Sequence, residues 1–250
     1  MTPPAPPFAG KVALVTGGSR GIGAAIVRRL ANDGATVAFT YSSSPDKAND
    51  VVAAVEAAGG KALAILADSA DAQAVQHAVE HTVHNLGGLD ILVSNAGILL
   101  RGTVDDFTLE DFDRMLAINV RGPFVAIKAA SKHLRQGGRI VTIGSVVAER
   151  SGFPGASVYS TTKSALVGMV RGLAIDFASR GITVNNVQPG PTASDMNPAD
   201  GPHVDMIKAL LPLGRLGSGE EIADMVAYLA SPGAAFVTGS SLTIDGGYLA

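Results

Sequence analysis

A doubly wound α/β fold, one seven-stranded parallel sheet with helices on both faces, is the class that this sequence predicts, and three observations predict it. Seven short runs rich in β-branched residues recur along the chain, each preceded by glycine. Their residues are nearly continuously apolar rather than alternating with polar ones, which suits strands covered on both faces. Six stretches with helical connections separate them, the alternation that builds a parallel sheet.

The first run is Val12 to Thr16, after Gly10, and a helix from about Ala24 to Asn32 follows it through a glycine turn. Thr36 to Thr40, after Gly34, is the second strand, and Asp46 to Ala58 repeats apolar residues at Val51, Val52 and Val55 with helical spacing. Ala62 to Ala67 follows Gly59-Gly60, and Asp71 to Leu86 carries Val75, Val79 and Val83 on one face. Ile91 to Ser94 is the fourth strand. Thr108 with Asp111 three residues on is a capping-box pattern, opening helices that reach about Leu134. Ile140 to Ile143 is the fifth strand, Ser157 to Phe177 a long helix, and Thr183 to Val187 the sixth strand. Ser218 with Glu221 opens a late helix before the seventh run, Ser241 to Ile244. No linker or composition break divides this series. One domain over residues 8–250 is expected, with residues 1–7, rich in proline, as a flexible lead-in.

Composition narrows the function. The 250 residues carry 19 basic and 22 acidic side chains, a net charge of -3 that provides no broad attraction for nucleic acid or an anionic membrane. Cysteine is absent, which removes disulfides, thiolate metal sites and cysteine nucleophiles together. The early prolines do not read as an export signal, and the apolar runs fall short of the ~20 residues of a spanning helix. A cytoplasmic protein is the expectation. His77 and His81 lie one helical turn apart, with Glu80 the one carboxylate near them; they read as a solvated helix face, and no metal is expected. Arg139 and Arg150 read as surface charges flanking the fifth strand.

The first strand runs into Thr16-Gly17-Gly18-Ser19-Arg20-Gly21-Ile22-Gly23. Glycines at a strand-to-helix turn let the backbone approach a pyrophosphate, which then rests at the positive helix N-terminus, as in Rossmann-type dinucleotide sites. Farther along, Tyr159 and Lys163 stand one helical turn apart. A lysine ammonium beside a phenol stabilises the phenolate; lowering a tyrosine pKa by about three units takes roughly 4 kcal/mol, which one close charge, a positively charged cofactor ring and partial burial together could supply. Ser145 follows the fifth strand, 14 residues before Tyr159, at the strand edge where open α/β sheets bind ligands. There its hydroxyl can hold a carbonyl oxygen while charge develops on it.

The spacing of glycine, three residues, glycine, one residue, glycine resembles the signature of the short-chain dehydrogenase/reductase family. Ser94-Asn95-Ala96-Gly97, Asn119, Tyr159 with Lys163, Pro189-Gly190 and Ile244-Asp245-Gly246-Gly247 are similar to further motifs of that family, so the likeness runs over residues 8–250. Ser94 departs from the family's usual asparagine. The resemblance implies Ser145, Tyr159 and Lys163 as catalytic residues and Asn119 in a proton relay with Lys163 through water. It implies cofactor contacts from Gly17, Ser19, Arg20, Gly21, Ile22 and Gly23. Asp68 and Ser69 would flank the adenine, and Asn95, Ala96 and Gly97 the ribose. Lys163 would also hold the nicotinamide ribose, while Pro189, Gly190, Thr192 and Ser194 dock the carboxamide.

The second strand ends at Tyr41-Ser42-Ser43-Ser44, with Tyr41 where NAD-dependent relatives carry aspartate. An acidic residue there would accept from the ribose and repel a 2′-phosphate. Here Arg20 supplies a cation and the serines supply donors, so NADP(H) is the expected cofactor. Residues 191–215 read as a substrate lid, with Met196, Met206, Leu210 and Leu211 as its apolar lining. The expected activity is reduction of a small-molecule ketone or aldehyde. One alternative is a 3-oxoacyl-acyl-carrier-protein reductase, although Ile175 and Asp176 stand where such enzymes place an arginine for the acidic carrier. The other is a nucleotide-binding regulator without turnover. Family likeness implies a homotetramer.

Overall fold

In the computed structural model, which describes residues 5–195, 197–198, 200–201 and 203–250, the seven runs form one parallel sheet. The strands are β1 (Val12–Thr16), β2 (Thr36–Tyr41), β3 (Lys61–Leu66), β4 (Leu89–Ser94), β5 (Leu134–Ile143), β6 (Thr183–Pro189) and β7 (Ser241–Ile244). They stand in the order β3-β2-β1-β4-β5-β6-β7. The chain reverses direction across the sheet between β1 and β4, and a doubly wound sheet opens its binding crevice at that point. The helices are α1 (Gly21–Asn32), α2 (Pro45–Ala57), α3 (Ala72–Leu86), α4 (Leu109–Leu116), α5 (Gly122–Ala130), α6 (Ser157–Phe177), α7 (Val204–Ala209) and α8 (Gly219–Ala230).

Strand side chains alternate between two cores. Ala13, Val15, Val37, Phe39, Ile91 and Val93 pack under α1, α2 and α8, whereas Leu14, Ala38 and Leu92 point the other way, under α3, α5 and α6. Both faces are therefore apolar, and polar alternation is absent for that reason. The expectation of two covered faces fails at the two sheet edges: β3 and β7 are only partly buried, because each has a neighbour on one side alone.

Among the differences from the sequence reading are two element starts and one cap. Helix α1 begins at Gly21, not Ala24, so the second and third glycines of the turn belong to its first turn. Strand β5 pairs as early as Leu134 and resumes at Arg139 after a register shift that takes in Gly137, at φ 78°. At Thr108 the hydroxyl accepts from the Asp111 N–H at 3.1 Å as a simple N-cap. At Ser218 the capping box is complete, and Glu221 is also gripped by Arg215 at 2.7 Å.

Of the two flanking arginines, Arg139 departs from the surface reading, whereas Arg150 is exposed as expected. Arg139 is buried and donates to the carbonyls of Gly137 and Gly138, a desolvated position that lowers its pKa. Arg150 lies 5.0 Å from the Tyr248 ring centre and donates to the Tyr248 carbonyl at 3.1 Å, fastening the chain's last turn.

Candidate active site

The carboxyl ends of β1 and β4 are joined by side chains that serve the backbone. The Thr16 hydroxyl accepts from the N–H groups of Asn95 (3.0 Å) and Ala96 (3.1 Å), and the Asn95 amide donates to the carbonyls of Thr16 and Gly17. Thr40, at the end of β2, accepts from the Gly17 N–H at 3.0 Å. This lacing pulls the turn so close that only glycine fits: a Cβ on Gly17 would lie 2.9 Å from the Ala96 Cα, and one on Gly23 would run into the Gly17 carbonyl. Helix α1 opens at Arg20 with no side-chain cap. A cradle that a Cβ would fill, at an uncapped helix N-terminus, fits a pyrophosphate.

Tyr41 is half-buried and Ser42 and Ser43 are exposed at the end of β2. Arg20, Ser19 and Gly21 line a recess of about 400 Å³ together with Arg28, Lys47 and Asp50. Asp68 turns its carboxylate onto the Ala70 N–H at 2.9 Å, and Gly122 permits α5 to approach the Ser69 carbonyl, where a Cβ would stand at 2.7 Å. Ser194 lies against Gly21, so the stretch after β6 folds over the glycine turn. Thr192 donates to the Gly190 carbonyl at 3.0 Å, and Gly190 lets the strand end meet Asp245, whose carboxylate accepts from Gly247 and Leu249. Of the lid residues, Leu211 is buried with Val146, Leu216 and Tyr248, whereas Met206 and Leu210 are largely exposed rather than lining a pocket. Met196 lies outside the described residues.

At the other end of the crevice, α6 is fastened to the turn after β5. Ser160 donates to the Val147 carbonyl at 2.6 Å and Ser164 to the Ala148 carbonyl at 3.0 Å. These bonds set Tyr159 against Ser145, which begins the same turn. Gln188, wholly buried in β6, donates to the Ser145 carbonyl at 3.3 Å, while its own Oε1 has no partner. Lys163 is buried and donates to the Ile143 carbonyl at 2.8 Å.

Within the chain's own groups desolvation dominates at Tyr159: burial pushes the phenol up to about 12, against a smaller downward pull from the Ser145 hydroxyl. The ammonium sits 5.7 Å from the ring centre, aimed at the Ile143 carbonyl, and burial lowers Lys163 to about 8. Removing an anion from water costs more here than the neighbouring cation returns. Burial by itself thus favours the protonated phenol.

Asn119 lies in a π-helical segment, Ala117–Arg121, between α4 and α5. Its side chain accepts from the Ile98 N–H (2.9 Å) and donates to the Ile98 carbonyl (2.9 Å) and the Thr162 hydroxyl (3.1 Å), without a direct bond to Lys163. A Cβ on Gly97 would touch both Asn119 Oδ1 (3.4 Å) and Lys163 Nζ (3.5 Å), so all three meet at one place. The loops leaving β4 and β5 are joined by the Gly102 N–H on the Gly155 carbonyl (3.3 Å) and by Arg101 over the Phe153 ring (4.5 Å).

Sequence reasoning missed Thr16, Thr40, Thr162, Ser160, Ser164, Gln188 and Lys47. The hydroxyls at 160 and 164 repeat at helical spacing, a signal that was present; the others act through partners far away in sequence.

A family model described as enoyl-(acyl carrier protein) reductase matches residues 17–249. A cyclic-di-GMP-binding biofilm dispersal mediator protein from Escherichia coli is 49% identical over 241 residues, 96% of this chain and 98% of that one. Elsinochrome reductase 1 from Elsinoe fawcettii is 43% identical over 250 residues, 95% and 94% of the two chains. Among solved structures, a short-chain dehydrogenase from Burkholderia cenocepacia in complex with NADP superposes with a TM-score of 0.96 at 52% identity, covering 98% of this chain and 100% of that one.

Proposed function

The chain belongs to the short-chain dehydrogenase/reductase family of oxidoreductases, and from that premise we propose that it is an NADP(H)-dependent carbonyl reductase acting on a small ketone or aldehyde. One observation carries the reading. A protonated Tyr159, the Ser145 hydroxyl and the buried Lys163 ammonium converge at the strand ends, beside a glycine turn shaped for a dinucleotide. The bound reduced nicotinamide supplies the hydride.

Ser145 holds the carbonyl oxygen, and Tyr159 donates its proton to that oxygen as charge builds there. Lys163 steadies the Tyr159 anion left behind and orients the nicotinamide ribose. Asn119 fastens the β4 loop to α6 and, with water, returns the proton through Lys163. Residues 17–23 take the pyrophosphate; Arg20, Tyr41, Ser42 and Ser43 the adenosine ribose and its 2′-phosphate; Asp68 and Ser69 the adenine. Asn95, Ala96 and Gly97 border the ribose, and Pro189, Gly190, Thr192 and Ser194 the carboxamide. Residues 8–250 act as one catalytic domain in a cytoplasmic homotetramer. Exposed Phe124, Ile175 and Phe236 support the assembly, and none of the described helices is long and apolar enough to cross a membrane.

The NADP-bound relative supports the cofactor, and elsinochrome reductase supports reduction. An acyl-carrier substrate is disfavoured because exposed Ile175 and Asp176 offer an acidic carrier no cation. A second reading, a nucleotide-binding regulator, is favoured by the Arg20, Arg28 and Lys47 cluster and by the cyclic-di-GMP-binding relative. The deciding assay follows absorbance of NADPH and NADH in parallel over ketones, diketones and 3-oxo esters, with carrier-bound and free 3-oxoacyl thioesters compared. NADPH consumption with a small ketone is expected. Tight nucleotide binding with no turnover anywhere would move the assignment to the regulator.

A further inference from the structure

The stretch that follows β6 carries one carboxylate that the proposed chemistry does not use. Asp195 Oδ2 takes the Lys47 ammonium at 2.6 Å and the Arg20 guanidinium at 3.6 Å. Lys47 stands in the first turn of α2, directly after the Ser42-Ser43-Ser44 turn, and α2 opens at Ser44 without a side-chain cap. Arg20 heads α1, and both cations line the recess that also holds Arg28. Asp195 is thus bound at the place where the ribose end of the cofactor meets positive charge. Its two cations hold its carboxyl below the usual aspartate range, the Lys47 hydrogen bond foremost.

A phosphate dianion and a carboxylate cannot both be best served by one ammonium and one guanidinium. Each cation given to Asp195 is one withheld from a phosphate, and a carboxylate left beside that phosphate repels it. We propose that Lys47 is the second cation, beside Arg20, that recognises the cofactor's 2′-phosphate, and that Asp195 is an internal competitor which that phosphate must displace. The inference rests on the NADP(H) reading above. A nucleotide lacking the 2′-phosphate leaves the Asp195 contacts as they are, so the carboxylate sets the margin between the two cofactors. All three side chains are half-exposed, so the exchange swaps one modest ion pair for another, stronger one.

Calorimetric titration with NADPH, NADH, 2′,5′-ADP and 5′-AMP tests this on the wild-type chain, Asp195→Asn and Lys47→Gln. Asp195→Asn is expected to bind NADPH and 2′,5′-ADP about threefold tighter, with NADH and 5′-AMP unchanged. Lys47→Gln is expected to weaken the same two phosphorylated ligands about tenfold and spare the others. Weaker or unaltered 2′,5′-ADP binding in Asp195→Asn, or equal shifts for all four ligands, overturns the competitor. Equal loss for all four in Lys47→Gln overturns the phosphate contact. A wild-type chain that binds NADH as tightly as NADPH defeats the NADP(H) reading itself, a result distinct from a selective wild type that ignores Asp195→Asn.

Discussion

At the glycine turn the groups that would meet the pyrophosphate are backbone atoms, held by the uncharged side chains of Thr16, Thr40 and Asn95. At the head of α6 they are side chains, and burial decides which of them is charged. The first end is a matter of shape and the second of ionisation. The contrast teaches that the two ends should fail separately: a methyl group can ruin the turn without touching proton transfer, and an isosteric change can stop proton transfer without loosening the nucleotide.

Tyr159→Phe is the strongest test of that separation. It removes the proton donor and leaves the ring, so kcat is expected to fall by roughly 10³-fold while the NADPH Kd stays within about twofold. Stopped-flow turnover and fluorescence titration of the same preparation read the two quantities. Comparable loss in both would mean that the ends are one unit. The converse change is Gly23→Ala, whose methyl runs into the Gly17 carbonyl and the Asn95 amide. It is expected to weaken NADPH binding by about 30-fold and to lower stability by about 2 kcal/mol, while kcat at saturating NADPH changes far less.

How much of this was legible follows the same division. The glycine spacing, the Tyr159 to Lys163 interval and the capping box at Ser218 are local patterns, and the chain folds them as read. Thr40 reaching Gly17, Asn95 reaching Thr16 and Gln188 reaching Ser145 depend on strand register between distant segments, and no local spacing records that. At Tyr159 the local pattern tells only part of the electrostatics. The sequence reveals a lysine one turn away, but neither the burial that disfavours the phenolate nor the Ile143 carbonyl that captures the ammonium.

The ionisable end carries its own stability signature. Lys163 falls from 10.5 to about 8, so between those values the unfolded chain binds the extra proton and stability rises with pH. Tyr159 rises from 10.0 to about 12, so from 10 upward the folded chain binds more protons and stability declines again. Urea midpoints are therefore expected to climb from pH 8 to 10 and then turn over. Lys163→Met should abolish the climb and add about 1 kcal/mol at pH 7, because a buried cation is removed, while lowering kcat. A Lys163→Met chain that still climbs would place the titrating group elsewhere.

The smallest expected effect lies where the two ends meet the sheet. Gln188 contributes one long hydrogen bond to the Ser145 carbonyl and pays for it with a buried acceptor that nothing satisfies. Replacing both by the similar volume of methionine removes a benefit and a penalty together, so Gln188→Met should alter stability by less than about 1 kcal/mol. If the bond exists to fix Ser145, kcat falls about fivefold with KM for NADPH unmoved, since only the main chain that carries the Ser145 hydroxyl loses an anchor. A Gln188→Glu variant sharpens the reading, because it cannot donate unless protonated and its activity should recover as the pH falls. Unchanged kcat in Gln188→Met would make the residue a strand filler and leave Ser145 held by the turn after β5 alone.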